Sequence, residues 1–221
     1  MRNLILAVLV SHLQLALAQN PVANQNIAPN PHGFGRPEGG VFEDAEIGED
    51  VKKFLFKDVE RDRDGLIKIK SNSRYTRLIE DFSKNPRLKH EMPPELKQVS
   101  KQLAKFGYQY FGFVIEDKHR STSIFKNGET GYLMYTNWKY QKAGASFSTA
   151  ASFLNRTVDG VPAVLSLMSG GDGTAIWKCT WWKEGVSYEV YITDVMNARE
   201  VPTLTSDQAM EIAKQFVGTY K

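Results

Sequence analysis

The chain has 221 residues, of which 42% are hydrophobic, and a formal net charge of +3 at pH 7. This length allows one domain or a small domain with tails, and the apolar content is sufficient for a core. So small a net charge, with no block of Lys and Arg, argues against nucleic acid as a partner.

The first eighteen residues have the layout of a cleavable secretory signal. Residues 1–3 form a short basic start, residues 4–10 are an unbroken apolar run, and residues 16–18 are small where an export peptidase cleaves. Gln19 is then the first mature residue. The apolar run is too short to span a bilayer, and no later segment is long and apolar enough to do so. The sequence therefore predicts an exported protein, periplasmic or extracellular, without a transmembrane span.

Residues 19–50 are rich in Asn, Pro and Gly and end in an acidic stretch. Such a composition buries too little apolar surface to offset the entropy of chain ordering, so we expect a mobile linker without helix or strand. Residues 51–221 are expected to form a single globular domain.

The first half of this domain is predicted to combine two short strands with two helices. Residues 54–56 and 66–70 have strand composition, and the Asp-Gly pair at 64–65 favours a turn between them. Two apolar stripes at helical spacing follow. Their residues are Tyr75, Leu78, Ile79 and Phe82 in the first helix, and Leu96, Val99, Leu103 and Phe106 in the second.

The second half is predicted to be mainly strands. Residues 108–116, 121–125, 132–140 and 163–168 are rich in aromatic and β-branched side chains, and hairpin signals occur at Asn127-Gly128 and Asp159-Gly160. Residues 147–158 fit either a helix or an extended chain, of which we favour the extended one.

The last two strands and the final helix have the clearest patterns. Trp177, Cys179 and Trp181 alternate with polar residues, and Val186, Tyr188, Val190 and Ile192 do so after a turn at Gly185. Thr205 and Gln208 have the spacing of a capping box before an apolar stripe. The sequence thus predicts an α+β fold, in which an antiparallel β-sheet of six to eight strands carries about three helices and the C-terminal helix packs on the sheet.

Cys179 is the single cysteine, so the chain has no intrachain disulfide. Its place within an apolar strand predicts a buried, unreactive thiol, and an intermolecular disulfide is the alternative.

Two loops carry partial resemblance to ligand-binding motifs. Residues 60–71 resemble a calcium-binding loop, but Glu60 stands at the first ligand position and Ser71 at the twelfth, where a bidentate Glu belongs. Residues 169–173 are Gly-rich, but a strand follows instead of the helix that phosphate binding needs. We interpret both loops as turns, so the sequence predicts neither a metal site nor a cofactor.

No catalytic constellation is evident. His32, His90 and His119 lack the paired spacing of metal ligands, and no Gly-x-Ser-x-Gly elbow accompanies them. A Ser/His/Asp site dispersed along the chain stays open as an alternative. The Asn155-Arg156-Thr157 triplet fits an N-glycosylation sequon.

Trp182 and Tyr191 are the candidate ligand-binding residues. Both fall on the side of their strands opposite to the apolar alternation, so we expect them at a surface, where aromatic rings bind ligands by stacking and desolvation. If so, replacing them with Ala weakens binding and leaves the domain folded.

The last part of the chain resembles the closing half of bacterial periplasmic sensor modules, such as the periplasmic regulators of envelope-stress sigma factors. The shared features are the Asp159-Gly160 hairpin, the aromatic hairpin around Gly185 and the helix that contains Ile212 and Ala213, together under a third of the chain. The lipid-binding half of that family does not fit easily into residues 51–156, so no functional residue is carried over. The resemblance implies, by analogy of fold, a binding or sensing protein of the cell envelope.

These observations favour a non-enzymatic exported binding or sensing protein that holds a peptide, a protein or an apolar ligand. The alternatives are a secreted hydrolase with a dispersed active site and an inhibitor or immunity protein.

Overall fold

The computed structural model describes residues 40–47, 49, 52–53, 59–70, 82–128, 131–145 and 148–218. The predicted signal, the predicted strand at 54–56 and the first predicted helix up to residue 81 lie outside these residues. So do residues 19–39 of the predicted linker.

The described part is rich in strands. Two α-helices are present there, and three single-turn 3₁₀ helices span Asp44–Glu46, Ala104–Phe106 and Ala151–Phe153. The longer elements are β1 (Gly40–Phe42), β2 (Val59–Arg61), β3 (Ile67–Lys70), α1 (Leu96–Leu103), β4 (Gln109–Asp117), β5 (Arg120–Asn127), β6 (Gly131–Trp138), β7 (Ser148–Ala150), β8 (Arg156–Val158), β9 (Val161–Ser169), β10 (Thr174–Lys183), β11 (Val186–Val195) and α2 (Ser206–Lys214).

Nine strands form one mixed sheet, in the order β2-β3-β9-β10-β11-β6-β5-β4, with β8 also paired to β9. The prediction of an α+β fold is confirmed. The prediction of an antiparallel sheet of six to eight strands is wrong, because β3 runs parallel to β9 and the sheet has nine strands in the described residues. Local turn signals fix the direction of strands within a hairpin. They do not fix how the β2–β3 hairpin joins a strand almost one hundred residues later.

The folded region begins earlier than predicted. Residues 40–42 form β1, which pairs in parallel with β7, and Phe42 and Ile47 are buried beside Phe153. The expectation that the linker contains no strand up to residue 50 is therefore wrong. The signal is weak in the sequence because the strand has only three residues, begins with a glycine and is followed at once by an acidic stretch.

The predicted turns are confirmed by backbone conformation. Asp159 and Gly160 have φ of 52° and 72°, and Glu184 and Gly185 have φ of 52° and 76°. Positive φ at both central residues characterises the tight hairpin turn whose twist matches that of its strands. Residues 148–158, which we expected to be extended, contain the strands β7 and β8, and only the 3₁₀ turn between them departs from that expectation.

One face of the sheet packs against both helices, and we call it the helix face. Trp177, Cys179 and Trp181 of β10 lie on it, as the alternation predicted. After α2, the ring of Phe216 stacks on Tyr135 with a centroid distance of 4.3 Å. The predicted capping box is present, since Gln208 N–H donates to Thr205 Oγ1 and Thr205 N–H donates to Gln208 Oε1. The C-terminal helix therefore packs on the sheet as predicted.

Asp194 attaches the segment before α2 to the sheet. Its carboxylate accepts from Trp177 Nε1 at 2.9 Å, and also from the backbone N–H groups of Val195 at 2.7 Å and Leu204 at 2.9 Å. Because hydrogen bonds to a buried carboxylate are charge-assisted, these contacts hold the loop firmly against β11.

Asn155 joins two parts of the sheet. Its Nδ2 group donates to the carbonyl oxygens of Gly65 and Leu165, both at 2.9 Å, and its Oδ1 accepts from Leu165 N–H at 2.8 Å. The side chain thus fixes the turn between β2 and β3 to β9.

None of the helices in the described residues is long and apolar enough to cross a membrane.

Cys179 should be unreactive in the folded protein. Its side chain is 2% exposed, its thiol donates to Met210 Sδ at 3.7 Å, and burial raises its pKa to about 12. Because the thiolate is the reactive species, we expect no reaction with a thiol reagent at pH 8 until the protein unfolds. Titration with and without denaturant measures this, and rapid labelling of the native protein would contradict it.

Candidate functional site

Tyr191 is not a surface residue, so that expectation is wrong. Its side chain is 1% exposed within a second core cluster that contains Ile124, Tyr132 and Ile176. Strand alternation correctly separates its ring from the helix face, but the opposite face is buried as well. A ligand lying on the sheet surface therefore does not reach Tyr191.

Trp182 is partly buried at one end of this second face. The strand register places it beside Ser187 of β11, which is beside Trp138 of β6. Trp138 also contacts Tyr140, with a centroid distance of 6.2 Å. Trp182 thus lies at an end of the sheet that also contains the aromatic side chain of Trp138, two strands away on β6.

The middle of the second face contains a buried ion pair. Lys178 Nζ lies 3.3 Å from Glu189 Oε1, and both side chains are below 10% exposure. The Tyr191 hydroxyl donates to Glu189 Oε2 at 2.6 Å, so both carboxylate oxygens have a partner. Nearby, Arg120 Nε lies 3.4 Å from Glu116 Oε2, and Thr122 Oγ1 donates to Glu116 Oε1 at 2.6 Å.

The electrostatics of this cluster favour fixed charges. Burial alone would raise the pKa of Glu189, but the positive charges of Lys178 and Arg120 outweigh it, so the pKa lies below its ordinary value. Burial, followed by the negative charge of Glu189, raises the pKa of Tyr191 well above 10. An ionised carboxylate with its partners in place and a neutral phenol are typical of a structural network.

The two loops with partial motifs are turns. Asp62 Oδ1 accepts from the backbone N–H groups of Asp64 and Leu66, and its Oδ2 lies 3.5 Å from Lys68 Nζ. Asp172 Oδ1 accepts from Thr174 N–H in the turn between β9 and β10. Within the described residues, no three His, Cys, Asp or Glu side chains converge as they would around a metal ion.

A cavity of about 660 Å³ lies on the helix face where α1 leaves the sheet uncovered. We call it the β4–β6 groove. Its floor is Phe113, Ile115, Ser121, Ser123, Tyr135 and Asn137, one wall is residues 91–96, and its far end is residues 117–120 with Lys139. The volume is within the range of small-ligand and peptide sites.

The groove exists because α1 is short. The buried side chains Leu96, Val99 and Leu103 hold the helix over the half of the face near the start of β4. The carbonyl groups of Pro93 and Pro94 accept from the first N–H groups of the helix, so the chain turns into α1 at the wall of the groove. The hairpin end of β4 and β5 extends beyond this point.

The floor combines one exposed aliphatic side chain with polar groups. Ile115 is 48% exposed, since α1 does not cover this end of the helix face. Beside it, Ser121 Oγ donates to Asn137 Oδ1 at 3.2 Å. Among the described residues nothing bonds to Asn137 Nδ2, so this amide can donate to a bound acceptor.

β4 is the edge strand of the sheet and is only partly covered. Lys89 exchanges two backbone hydrogen bonds with Phe113, each 2.8 Å long, and His90 Nδ1 donates to the carbonyl oxygen of Phe111 at 2.9 Å. Ile115 lies two residues beyond Phe113, where a β-bulge between Ile115 and Asp117 interrupts the regular pairing of β4 with β5. In the described part of the chain no strand pairs with the outer side of β4 beyond Phe113, which leaves an open stretch of edge beside the groove.

The groove also brings His119 near serines and carboxylates, as a dispersed hydrolase site would. The hydrogen bonds do not have the arrangement that catalysis requires. Asp117 Oδ1 accepts from the backbone N–H of His119 at 2.6 Å, and Ser121 donates to Asn137. A nucleophilic serine must instead give its proton to the imidazole, which a carboxylate orients through its other nitrogen.

Sequence reasoning identified Trp182 and Tyr191 but missed the groove. The available signal was Ile115, an aliphatic residue one position before the charged turn at 116–120 of an edge strand. Without knowing where α1 begins over the sheet, that residue cannot be distinguished from a core position.

Comparisons with protein-family models, curated proteins and solved structures find no match to this chain.

The buried ion pair should matter more to stability than a surface pair on the same strand. We expect Lys178→Met to lower the free energy of unfolding by about 3 kcal/mol, because it leaves a buried carboxylate without its nearest cation. Lys178→Met combined with Glu189→Leu should recover most of this loss. Denaturant titration measures all variants.

Lys183→Met is the matched control, since Lys183 Nζ lies 3.8 Å from Asp159 Oδ2 at partly exposed positions. It should cost under about 1 kcal/mol. Equal effects at 178 and 183 would contradict a structural role for the buried pair.

Glu189 should also contribute to acid sensitivity. Its pKa in the folded protein is lower than the ordinary value of 4.5, so its contribution to stability is complete above about pH 4.5 and is lost as the pH falls through the folded value. Unfolding curves between pH 3 and 6 should fall more steeply for the wild type than for Glu189→Gln. A carboxyl carbon resonance of Glu189 that titrates above pH 4.5 in NMR spectra would refute this.

Proposed function

We propose that this protein is an exported, non-enzymatic binding protein that holds an extended peptide segment of a partner in the β4–β6 groove. The observation that carries this proposal is Ile115, a half-exposed aliphatic side chain on the groove floor beside the open edge of β4. An incoming strand can use both features at once, since it can pair with the edge and cover the side chain.

The chemistry of the groove suits a peptide better than a wholly apolar ligand. A peptide backbone presents a donor and an acceptor at each residue, and the floor offers Asn137 Nδ2 as a donor and serine hydroxyls as donors and acceptors. An apolar ligand would cover these groups without bonding them, which costs free energy. Burying the exposed part of Ile115 contributes about 1 kcal/mol.

Export and an envelope location are part of the proposal. Residues 1–18, which have the layout of a secretory signal, support them, and a chain with a single cysteine is compatible with export. The resemblance of the C-terminal part to periplasmic sigma-factor regulators adds the expectation of a sensing role by analogy.

A secreted hydrolase is the second candidate, because the groove does gather His119, Asp117 and Ser121. Binding without chemistry is favoured because the side chains of Asp117 and Ser121 are engaged elsewhere, as described above.

Replacement of Ile115 by Asp should abolish peptide binding and leave the fold intact. The charge removes the apolar contact and repels a strand that would cover it, while the exposed side chain supports little of the core. Binding can be measured on a cellulose array of random-sequence decapeptides, and mass spectrometry of the peptides after incubation detects cleavage.

Val201→Asp is the matched control, since Val201 is 51% exposed on a loop far along the chain and lies outside the groove. It should bind peptides like the wild type. Equal binding by the Ile115→Asp variant would refute the groove as the site, and cleaved peptides would favour the hydrolase. Dimerisation lost in the Ile115→Asp variant would identify a second copy of the chain as the occupant.

A further inference from the structure

The two ends of the β4–β6 groove have opposite charge. Glu91 and Glu95 lie on the wall that leads into α1, and both are exposed. Tyr110 locates this acidic end near the start of β4, because its hydroxyl donates to the carbonyl oxygen of Glu91 at 3.1 Å. Burial, followed by the charge of Glu95, raises the pKa of Tyr110 to about 12, in agreement with this position.

The other end is basic. Lys118 and Lys139 are exposed at the hairpin end, and Lys139 is held there by its backbone N–H, which donates to the carbonyl oxygen of His119 at 2.8 Å. Asp117 is the acidic group at this end, and its carboxylate accepts the N–H of His119. Arg120 is paired with Glu116 on the second face. Two lysines against one engaged carboxylate leave this end net positive.

The uncharged floor separates the two ends. Asp117 lies four residues beyond Phe113 in β4, which corresponds to about 13 Å of extended chain. Lys89 lies over the ring of Phe113, 5.9 Å from its centroid, outside the groove lining. A bound strand would therefore span about four neutral residues between the acidic end and the basic end.

We propose that the groove selects extended segments with segregated charges, in which a basic end and an acidic end flank about four uncharged residues that include a β-branched side chain. This rests on the proposed peptide-binding function and names the class of partner. Exposed charges steer association and fix the alignment of a bound segment. We therefore expect them to determine which peptides bind more than how tightly a peptide binds.

Two eight-residue peptides of identical composition test this. Both contain two lysines, two glutamates and a Thr-Val-Thr-Val segment. In one peptide the lysines precede the segment and the glutamates follow it, and in the other each end has one lysine and one glutamate. We expect the segregated peptide to bind about fivefold more tightly in fluorescence anisotropy at low salt, and the difference to disappear in about 0.5 M NaCl.

Charge reversal of either end should change the preferred peptide. Glu91→Lys with Glu95→Lys makes both ends basic, so this variant should prefer a peptide with glutamates at both ends. Lys118→Glu with Lys139→Glu should prefer lysines at both ends. If these charged residues only stabilised the fold, the variants would bind all peptides more weakly and would keep the same preferred peptide.

The outcomes separate the two proposals. If neither peptide binds the wild-type protein and the decapeptide array is also negative, the proposed function fails. If both peptides bind equally, or if the reversed variants keep the wild-type preference, peptide binding stands and the selection of segregated charges is overturned.

Discussion

The pairing of β10 with β11 over ten consecutive residues is the constraint on which the rest of this protein depends. Each strand is also paired on its other side, so one register assigns side chains to the two faces across the middle of the sheet. It directs Trp177 and Tyr188 toward the helices, and Lys178 and Glu189 toward the second face. A slip of one residue between the two strands would move the side chains of one strand to the other face and separate Lys178 from Glu189.

Burial of both faces gives the sheet two different interiors. The helix face is aromatic and aliphatic, whereas the second face has buried threonines, serines and a Lys–Glu pair among its apolar residues. Replacing such a pair with apolar residues is often neutral for stability. Its presence therefore indicates which strand register the protein adopts more than it indicates how stable the fold is. The groove is found where the interior of the helix face is incomplete, at the hairpin end that α1 does not reach.

Local patterns in the sequence predicted local structure well. Asp159-Gly160, the turn at Gly185 and the Thr205/Gln208 cap follow from backbone conformation and from hydrogen bonds within a few residues, which the sequence contains directly. The burial of Tyr191 and the parallel β3–β9 pairing depend on contacts between distant segments. Alternation identifies two faces but not which of them is covered, so it placed Tyr191 on the correct face and wrongly at the surface. The groove depends on where α1 starts above the sheet, and the spacing of apolar residues in the sequence does not reveal that position.

Asn155 has a consequence for how this protein can be produced. In a eukaryotic secretory host, oligosaccharyltransferase would meet the Asn155-Arg156-Thr157 triplet on the nascent chain, before folding has engaged the amide. A glycan replaces one of the two Nδ2 protons, and both donate to carbonyl groups in the folded protein. Chains that acquire the sugar would be held back by the quality-control machinery of the endoplasmic reticulum, so a bacterial host, or a Thr157→Ala variant that removes the triplet and keeps the Asn155 amide, is the rational choice for expression.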